Sequence, residues 1–378
     1  MRFWLLLLLI GISNPAISQK HEWAFDGTLM GFSNYTPADD YPIWTGIRYL
    51  PELTYNLGLD SLQTLTVNVS GNLYGSTQLF GDPPPQSEGY IRPYRAWMRY
   101  THGMSEIRLG LQKIDFGSSS ILRPMQWFNG MDPRDPLGLT DGVYALLGKY
   151  YFKNNANIWL WTLYGNEQRR GYDVLTSNPH RPEYGGRFQF PTPKGELAFS
   201  YHYRDAQLLT TNESGEVFMK ESPENRWGLD GKWDLVVGLW LEASHSRTIH
   251  DIGAFSQQSL FNLGADYTFG LGNGLNASLE HLTALYGAHM DEIEYRANTT
   301  ASQLSYPISF FDHISAMVYY DWSNEATGYF LNYEHQFNRF TTYLMTYYNP
   351  KQNIQIPSND FSQLTAGYGF RLMLVYNH

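Results

Sequence analysis

The chain has 378 residues and a formal net charge of -10, and only 16% of its residues are charged although 16% are aromatic. The charged share is well below the ~25% of soluble domains, and the acidic balance argues against a nucleic-acid partner. The sequence contains no cysteine, which excludes disulfides, thiol catalysis, Cys-ligated zinc and a lipid anchor on an N-terminal cysteine. Mean hydropathy is nevertheless negative, at -0.39. A wall with one apolar and one polar face gives this combination.

The first residues have the order of a secretory signal peptide. Arg2 precedes an apolar run from Phe3 to Ile12, and Ala16-Ile17-Ser18 forms a small-x-small cleavage site. An uncleaved membrane anchor is the alternative, but the run is about ten residues long against the ~20 that a helical span needs. The sequence therefore predicts a signal peptide over residues 1–18 and one exported domain over residues 19–378.

Apolar and polar residues alternate along most of the remaining chain. Between Gly195 and Asp205, for example, Leu197, Phe199, Tyr201 and Tyr203 alternate with more polar neighbours, which is the pattern of a β-strand. Strands are predicted at 21–35, 44–58, 62–76, 88–101, 104–115, 142–153, 156–165, 182–191, 195–205, 224–233, 235–248, 257–269, 274–287, 300–310, 313–322, 326–336, 339–348 and 361–376. Their lengths exceed the ~5–6 residues usual in soluble sheets and match the ~9–11 of a tilted membrane strand.

The connections between predicted strands alternate between short turns and longer loops. This alternation is typical of outer-membrane barrels, with short turns in the periplasm and long loops outside the cell. The expected fold is all-β: a transmembrane, antiparallel, up-and-down barrel of about 18 strands, with 16 to 20 possible. The expected location is the outer membrane, in contact with lipid and lipopolysaccharide.

If the apolar phase faces lipid, the other phase lines the lumen and includes many charges. The expected pore-lining residues on the strands are Arg48, Arg95, Arg99, Arg108, Arg204, Glu242, Asp266, Glu280 and Glu334. The early strands supply mainly basic residues and the later ones mainly acidic residues, so a basic arc would face a partly acidic one. Such an arrangement orients dipolar solutes. The alternative is that these charges are simply mixed and neutralise each other.

One Pro-, Gly- and Asp-rich stretch, LRPMQWFNGMDPRDPLGLTDG at 122–142, separates the fifth and sixth predicted strands. The same strand pattern continues on both sides of it, so it is no domain linker. Its prolines stiffen it, and we expect residues 117–141 to fold into the barrel as a constricting loop. Trp127 and Phe128 are the expected anchors on the inner wall, with Asp132, Arg134 and Asp135 exposed to the passage.

Residues 108–144 also resemble a pattern in outer-membrane barrels of the porin and alginate-export kind. In that pattern a strand carrying Gly-x-Gln-basic and an aromatic-Gly pair is followed by Pro, an aromatic-Asn pair and Asp-Pro. The matching residues are Gly110, Gln112, Lys113, Phe116, Gly117, Pro124, Phe128, Asn129, Asp132 and Pro133. Asp115-Phe116 stands where an aromatic often precedes the Gly, and Asn129-Gly130 where Asn-Pro is common. The resemblance implies a channel-type barrel with a folded-in loop.

Some outer-membrane barrels are enzymes, and two arrangements deserve comparison with them. A lipase site would need His313, Ser315 and Asn324 together, and a protease site would need Asp39-Asp40 beside His250-Asp251. Neither is favoured, and no cofactor or metal is expected. The leading hypothesis is passive or facilitated diffusion of small hydrophilic solutes. The alternative is an accessory barrel subunit with a closed pore, which would bind protein partners in an outer-membrane complex.

Overall fold

A computed structural model of the chain describes residues 20–37, 42–80, 86–211, 216–289, 293–351 and 366–378. The predicted signal peptide and Asp39-Asp40 lie outside these ranges. Within them, no helix is long and apolar enough to cross a membrane.

The described residues form nineteen strands. They are β1 (Lys20–Tyr35), β2 (Ile43–Gly58), β3 (Gln63–Leu79), β4 (Ser87–His102), β5 (Ser105–Gln112), β6 (Val143–Tyr151), β7 (Asn157–Leu163), β8 (Thr176–Ser177), β9 (Glu183–Thr192), β10 (Gly195–Thr211), β11 (Val217–Asp234), β12 (Gly238–Thr248), β13 (Gln257–Phe269), β14 (Leu275–Gly287), β15 (Tyr295–Pro307), β16 (Asp312–Asp321), β17 (Ala326–Gln336), β18 (Phe340–Asn349) and β19 (Gly367–Asn377).

The nineteen strands form one antiparallel sheet, and all of them except β8 make up a wall that closes on itself. Each wall strand pairs with the next along the chain, β7 pairs with β9, and β1 pairs with β19 to close the barrel. The two-residue β8 pairs only with the end of β10. The prediction of an up-and-down barrel of about 18 strands is therefore confirmed. The largest boundary errors are at β11, which begins seven residues before the predicted 224, at β10, which ends six residues after the predicted 205, and at β19, which begins six residues after the predicted 361.

Burial alternates along the wall strands because successive side chains point to opposite faces of a sheet. On β19, Phe370, Leu372 and Leu374 are exposed on the outside, whereas Arg371 and Met373 are buried inside. The outer face is rich in aliphatic and aromatic side chains, as a lipid-facing wall requires.

The lumen differs from the prediction on one side. We expected the inward phase to be polar, but from β16 through β19 to β1 many inward side chains are apolar and buried: Met317, Tyr319, Phe330, Tyr343, Met345, Tyr347, Met373, Val375, Met30 and Phe32. Many of these inward residues are methionine or tyrosine, which are harder to recognise in the sequence as an apolar phase than leucine is. The physical reason for this apolar wall is a loop that packs on it, described next.

Candidate functional site

Residues 113–142, between β5 and β6, form a long loop inside the barrel, which we call the inner loop. It leaves the wall at β5 and reaches lumen-facing carboxylates on β11, β12 and β14. Asp230 Oδ2 accepts a hydrogen bond from the Ser118 hydroxyl at 3.2 Å, and Glu242 Oε1 accepts one from the backbone N–H of Ser119 at 2.6 Å. Glu242, which was expected to line an open pore, therefore binds this loop instead.

Glu280 on β14 makes the densest of these contacts. One of its carboxylate oxygens accepts the backbone N–H groups of Ser120 at 2.7 Å and Ile121 at 3.0 Å, and the other accepts that of Leu122 at 2.6 Å. Trp240 Nε1 and Asn262 Nδ2 on the wall donate to the same carboxylate, at 3.1 and 3.0 Å. Hydrogen bonds to an ionised acceptor are about twice as strong as neutral ones, so Glu280 is a fixed attachment point for the loop.

Trp127 and Phe128 both contact the inner wall. Trp127 Nε1 donates to Ser244 Oγ on β12 at 2.9 Å. The Phe128 ring packs edge-on against Trp161 of β7 and His202 of β10, with ring centres 5.3 and 5.0 Å apart. Both side chains are buried. That the two rings anchor the loop stays a prediction.

The far part of the inner loop carries Asp132, Arg134 and Asp135. Asp132 is fully buried rather than exposed to the passage, because Arg134 folds over it with N–O distances of 2.7 and 2.9 Å. Arg134 also donates to Asn349 Oδ1 on β18 at 3.0 Å. Burial raises the pKa of Asp135 above its usual range, although hydrogen bonds from the N–H groups of Leu139 and Leu137 oppose the shift. The loop thus contacts wall strands on both sides of the barrel.

Ion pairs within the inner loop stabilise its first part, from Lys113 to Arg123. Asp115 accepts a 2.7 Å hydrogen bond from Arg123 and lies 3.2 Å from Lys113. Burial by itself would raise the pKa of Asp115, but the two nearby cations outweigh it, and the pKa lies below its usual range. The ionised form of Asp115 is therefore favoured while the loop is folded.

Apolar contacts attach the loop on its other side. Ile121, Leu122, Leu137 and Leu139 pack against the apolar lumen wall of β16–β19 and β1. Loop and wall together bury one continuous apolar cluster inside the barrel. Carboxylates therefore hold one flank of the inner loop and hydrophobic packing holds the other.

A second loop, residues 164–182 between β7 and β9, also enters the barrel. Arg204 on β10 bonds both Asp173 of this loop and Glu224 on β11, each at 2.8 Å, and Arg226 bonds the same two carboxylates. Arg170 of the loop bonds Glu183 at 2.8 Å. Arg204 is 1% exposed, so it belongs to a buried ion-pair network rather than to an open pore surface.

Sequence reasoning missed this second loop. Arg204 and Arg226 lie on the inward faces of adjacent strands and share Glu224 as their ion-pair partner on the wall, an excess of buried positive charge at this point. Buried charges are almost always paired, so this excess was a signal that a loop must bring carboxylates inward. Asp173 is the residue that does so. The two loops also touch each other, since a Cβ added at Gly171 would overlap the backbone of Gln126.

The arginines of the expected basic arc lie on β2, β4 and β5, on the other side of the barrel from the carboxylates of β11, β12 and β14. Arg48 stacks on Tyr74, Arg95 on Tyr94 and Arg108 on Trp97, with guanidinium carbons 4.7, 4.0 and 4.8 Å from the ring centres. Arg95 also donates to the Thr140 carbonyl of the inner loop at 2.8 Å. Arg99 pairs directly across from Arg108, and both are only partly buried.

Asp266 and Glu334, the remaining expected pore residues, are not brought to the inner loop. Asp266 pairs with Gly238 at the start of β12, and Glu334 pairs with His313 near the start of β16. Both lie at the short-turn end of the barrel, below Glu242 and Glu280. The predicted basic and acidic residues therefore do not all take part in one electric field across the lumen.

A polar cavity of about 610 Å³ lies between the two loops and the wall at β4 and β6. Its lining includes Tyr94, Asn129, Asp141, Asn166, Arg169 and Asp173. This volume is in the ~300–1,000 Å³ range of small-molecule sites. The cavity therefore has room for a small hydrophilic solute at the long-loop end.

The enzyme-like arrangements are not assembled among the described residues. His313 Nε2 lies 2.8 Å from Ser305 Oγ on the neighbouring strand, not from Ser315. Asp251 closes a local turn by accepting from Gly253 N–H. In the part of the chain that the structure describes, no group of three or more His, Asp or Glu side chains is placed to hold a metal ion.

No protein-family model matches the sequence, and no curated protein sequence matches it significantly. Solved structures do match. OccD3 (OpdP) of Pseudomonas aeruginosa aligns with a TM-score of 0.58 and 9% identity over 94% of this chain and 91% of that chain. OccAB1 of Acinetobacter baumannii gives 0.58 and 9% over 95% and 96%, and OmpT, an outer membrane protein of Vibrio cholerae, gives 0.52 and 10% over 95% and 99%.

Identities of 9–10% make these likenesses statements about the fold. They agree with the closed antiparallel wall described above. The chain therefore has the fold of the porin-like outer-membrane β-barrels.

Proposed function

We propose that this protein is an outer-membrane channel for small hydrophilic solutes, and that its inner loop is the constriction. The observation that carries the proposal is the attachment of residues 118–125 to Asp230, Glu242 and Glu280 across the interior of the barrel. An 18-strand barrel is wide enough for an aqueous channel. A loop held across it is the element that sets the size and charge of the passage.

Polar groups at both ends of the passage favour polar solutes. Arg99 and Arg108, the latter ion-paired with Glu106 at 2.9 Å, lie at one side of the lumen toward the short-turn end, and the 610 Å³ polar cavity lies at the long-loop end.

Among the described residues His313 contacts Ser305 rather than Ser315, and Asp251 closes a local turn, so neither predicted enzyme arrangement supports hydrolysis and we propose transport. We propose that solutes pass by diffusion.

Planar-bilayer recording of the pure, folded protein tests this proposal. We expect discrete conductance steps, and we expect them to become larger when residues 120–139 are deleted, because the deletion removes the constriction. Absence of steps from folded wild-type protein would overturn the channel. Steps that the deletion leaves unchanged would overturn the role of the loop alone.

A specific observation supports a second candidate, an accessory barrel whose pore is closed. The inner loop and the second loop both enter the lumen, and an apolar cluster is buried between the inner loop and the wall. A barrel closed in this way would act through partners rather than through solute flow. It predicts a stable heterologous complex in mild-detergent pull-downs together with no conductance from the barrel alone.

A further inference from the structure

A groove lies at the short-turn end of the barrel, where two neighbouring turns meet. It has a volume of about 550 Å³ and lies between the β15–β16 turn and the β17–β18 turn. Its lining is mostly aromatic and includes one guanidinium: Phe311, His335, Gln336, Phe337, Asn338, Arg339 and Phe340. These residues belong to wall strands and short turns, so the groove is separate from the inner loop and from the second loop.

The groove is on the lipid side of the wall. On β17, Phe330 and Asn332 are buried inside, so the alternation along a strand places His335 on the outside. On β18, the buried Tyr343 likewise places Phe340 on the outside, where 39% of its surface is exposed. The groove is therefore continuous with the lipid-facing surface of the barrel.

The position of the groove along the strands is that of lipid head groups. Leu331 of β17 and Leu344 of β18 are exposed on the outer face toward the middle of the wall, and Tyr333 lies between Leu331 and His335 in the same outward row. Aromatic rings gather where lipid chains meet head groups. Because short turns face the periplasm, the leaflet at this height is the periplasmic one, which in an outer membrane consists of phospholipid.

One side of the groove is held in place by Asp312. Its Oδ1 accepts the Tyr333 hydroxyl and lies 2.7 Å from His335 Nδ1, and its Oδ2 accepts the Ser309 hydroxyl at 2.6 Å. Ser309 Oγ in turn accepts the backbone N–H of Phe311 at 3.0 Å. The β15–β16 turn and the His335 ring are therefore fixed before a ligand binds, which lowers the entropic cost of binding.

The other side of the groove carries three packed rings and a positive charge. The rings of Phe337 and Phe340 are 4.6 Å apart, and the His335 ring packs edge-on against Phe337 at 4.3 Å. Arg339 lies in the same turn and is exposed. Within the described residues, no hydrogen bond or ion pair is found for its guanidinium. A guanidinium presents a planar fork of donors that matches phosphate oxygens, so this side of the groove fits a phosphate next to an apolar surface.

We propose that this groove binds the head group of one phospholipid of the periplasmic leaflet. Arg339 binds the phosphodiester, and the rings of Phe337 and Phe340 pack against the glycerol backbone. The acyl chains then lie along the outer wall over Leu331 and Leu344. A free phosphate ester would satisfy the guanidinium alone, whereas a phospholipid also covers the rings and the adjoining aliphatic wall. The inference rests on the proposed outer-membrane location and is independent of solute passage.

Lipid titration followed by native mass spectrometry tests the site on the full, folded chain in detergent. The probes are dioleoylphosphatidylethanolamine, dioleoylglycerol, which lacks the phosphate, and glycerophosphoethanolamine, which lacks the chains. We expect Arg339→Gln to bind the phospholipid about tenfold more weakly than the wild type does, because a hydrogen bond between charged groups is lost. The matched control is Lys194→Gln, which removes an exposed cation from the β9–β10 turn at the same end. It should bind as the wild type does, and heat-modifiability on gels shows that each variant is folded.

Equal affinity of the wild type and Arg339→Gln for the phospholipid would overturn the proposal, as would equally tight binding of dioleoylglycerol. Tight binding of glycerophosphoethanolamine would instead assign the groove to a free phosphate ester. A polypeptide that co-extracts from native membranes and is released by Arg339→Gln would replace the lipid with a protein partner.

Thermal unfolding in detergent adds an independent measurement. The phospholipid should raise the unfolding midpoint of the wild type more than that of Arg339→Gln, because a ligand stabilises the state that it binds. Equal shifts in the two proteins would contradict the site. Absence of conductance from a protein that still binds the phospholipid would overturn the channel and leave this site standing.

Discussion

Glu280 on β14 accepts the backbone N–H of Leu122 at 2.6 Å, which joins a wall strand to a loop 158 residues earlier in the chain. The carboxylate is 0% exposed, and its remaining acceptor positions are filled by Ser120, Ile121, Trp240 and Asn262. No other acceptor in the described lumen serves three consecutive backbone N–H groups. The path of the inner loop is therefore set chiefly by this one side chain.

Replacing this carboxylate should release the loop. Glu280→Gln substitutes an NH2 donor for one acceptor oxygen and leaves at least one buried N–H unpaired, a loss of about 1–3 kcal/mol in docking free energy. We expect larger and noisier single-channel steps and faster tryptic cleavage after Arg134. Glu334→Gln is the control, since Glu334 lies at the short-turn end and no hydrogen bond joins it to the described loop. Equal effects of the two substitutions would contradict a latch at Glu280.

The wall was predictable from the sequence and the interior was only partly so. Alternation along β13 and β19 fixes which residues face lipid, because a one-residue error would turn every apolar side chain inward. The anchoring position of Trp127 could be expected from a large indole in a Pro-rich loop. The partners of Glu280 could not, because they are backbone N–H groups, which carry no sequence signal. The prediction of a polar lumen was wrong at Met345 and Tyr347 for a related reason. An apolar inner wall can be expected only when the loop that covers it is known.

Gly117 allows the inner loop to pass close to Glu242. Its φ is +108°, and a Cβ there would overlap the Glu242 carboxylate. Gly117→Ala should therefore cost backbone strain of about 1–3 kcal/mol and also displace Glu242 from Ser119. Gly253→Ala is a matched control, since φ is +97° there and a Cβ would meet no atom within 4 Å. We expect both variants to lower the urea midpoint, and only Gly117→Ala to change conductance. A conductance change in Gly253→Ala of the same size would refute this role for Gly117.

Arg204 should matter for stability rather than for selectivity. Arg204→Met removes the cation between Asp173 and Glu224 and leaves two buried carboxylates short of charge compensation, which costs about 3–5 kcal/mol for a broken buried pair. We expect a lower urea midpoint and exposure of the second loop to protease. Arg169→Met, an exposed position in the same loop, should change little. Adding Glu224→Gln should recover part of the loss, because paired residues are not additive. An unchanged midpoint in Arg204→Met would mean that the network carries no net stability.

The ionisation of Asp115 predicts how acid affects the inner loop. Its pKa in the folded loop lies below the ordinary value because Arg123 and Lys113 outweigh the effect of burial, whereas in a released loop the pKa would return to about 3.9. A depressed carboxyl pKa contributes stability above the unfolded value and loses it as pH falls through the folded value. Docking of the inner loop should thus weaken below about pH 4, which would be measured as rising conductance or faster cleavage by an acid protease.

The Asp115→Asn variant should dock its loop more weakly at pH 7 and lose part of this acid response. Asp135, whose pKa is raised, has the opposite sign, so Asp135→Asn should enlarge the acid response. If Asp115→Asn kept the full wild-type pH profile, the response would have to come from other groups.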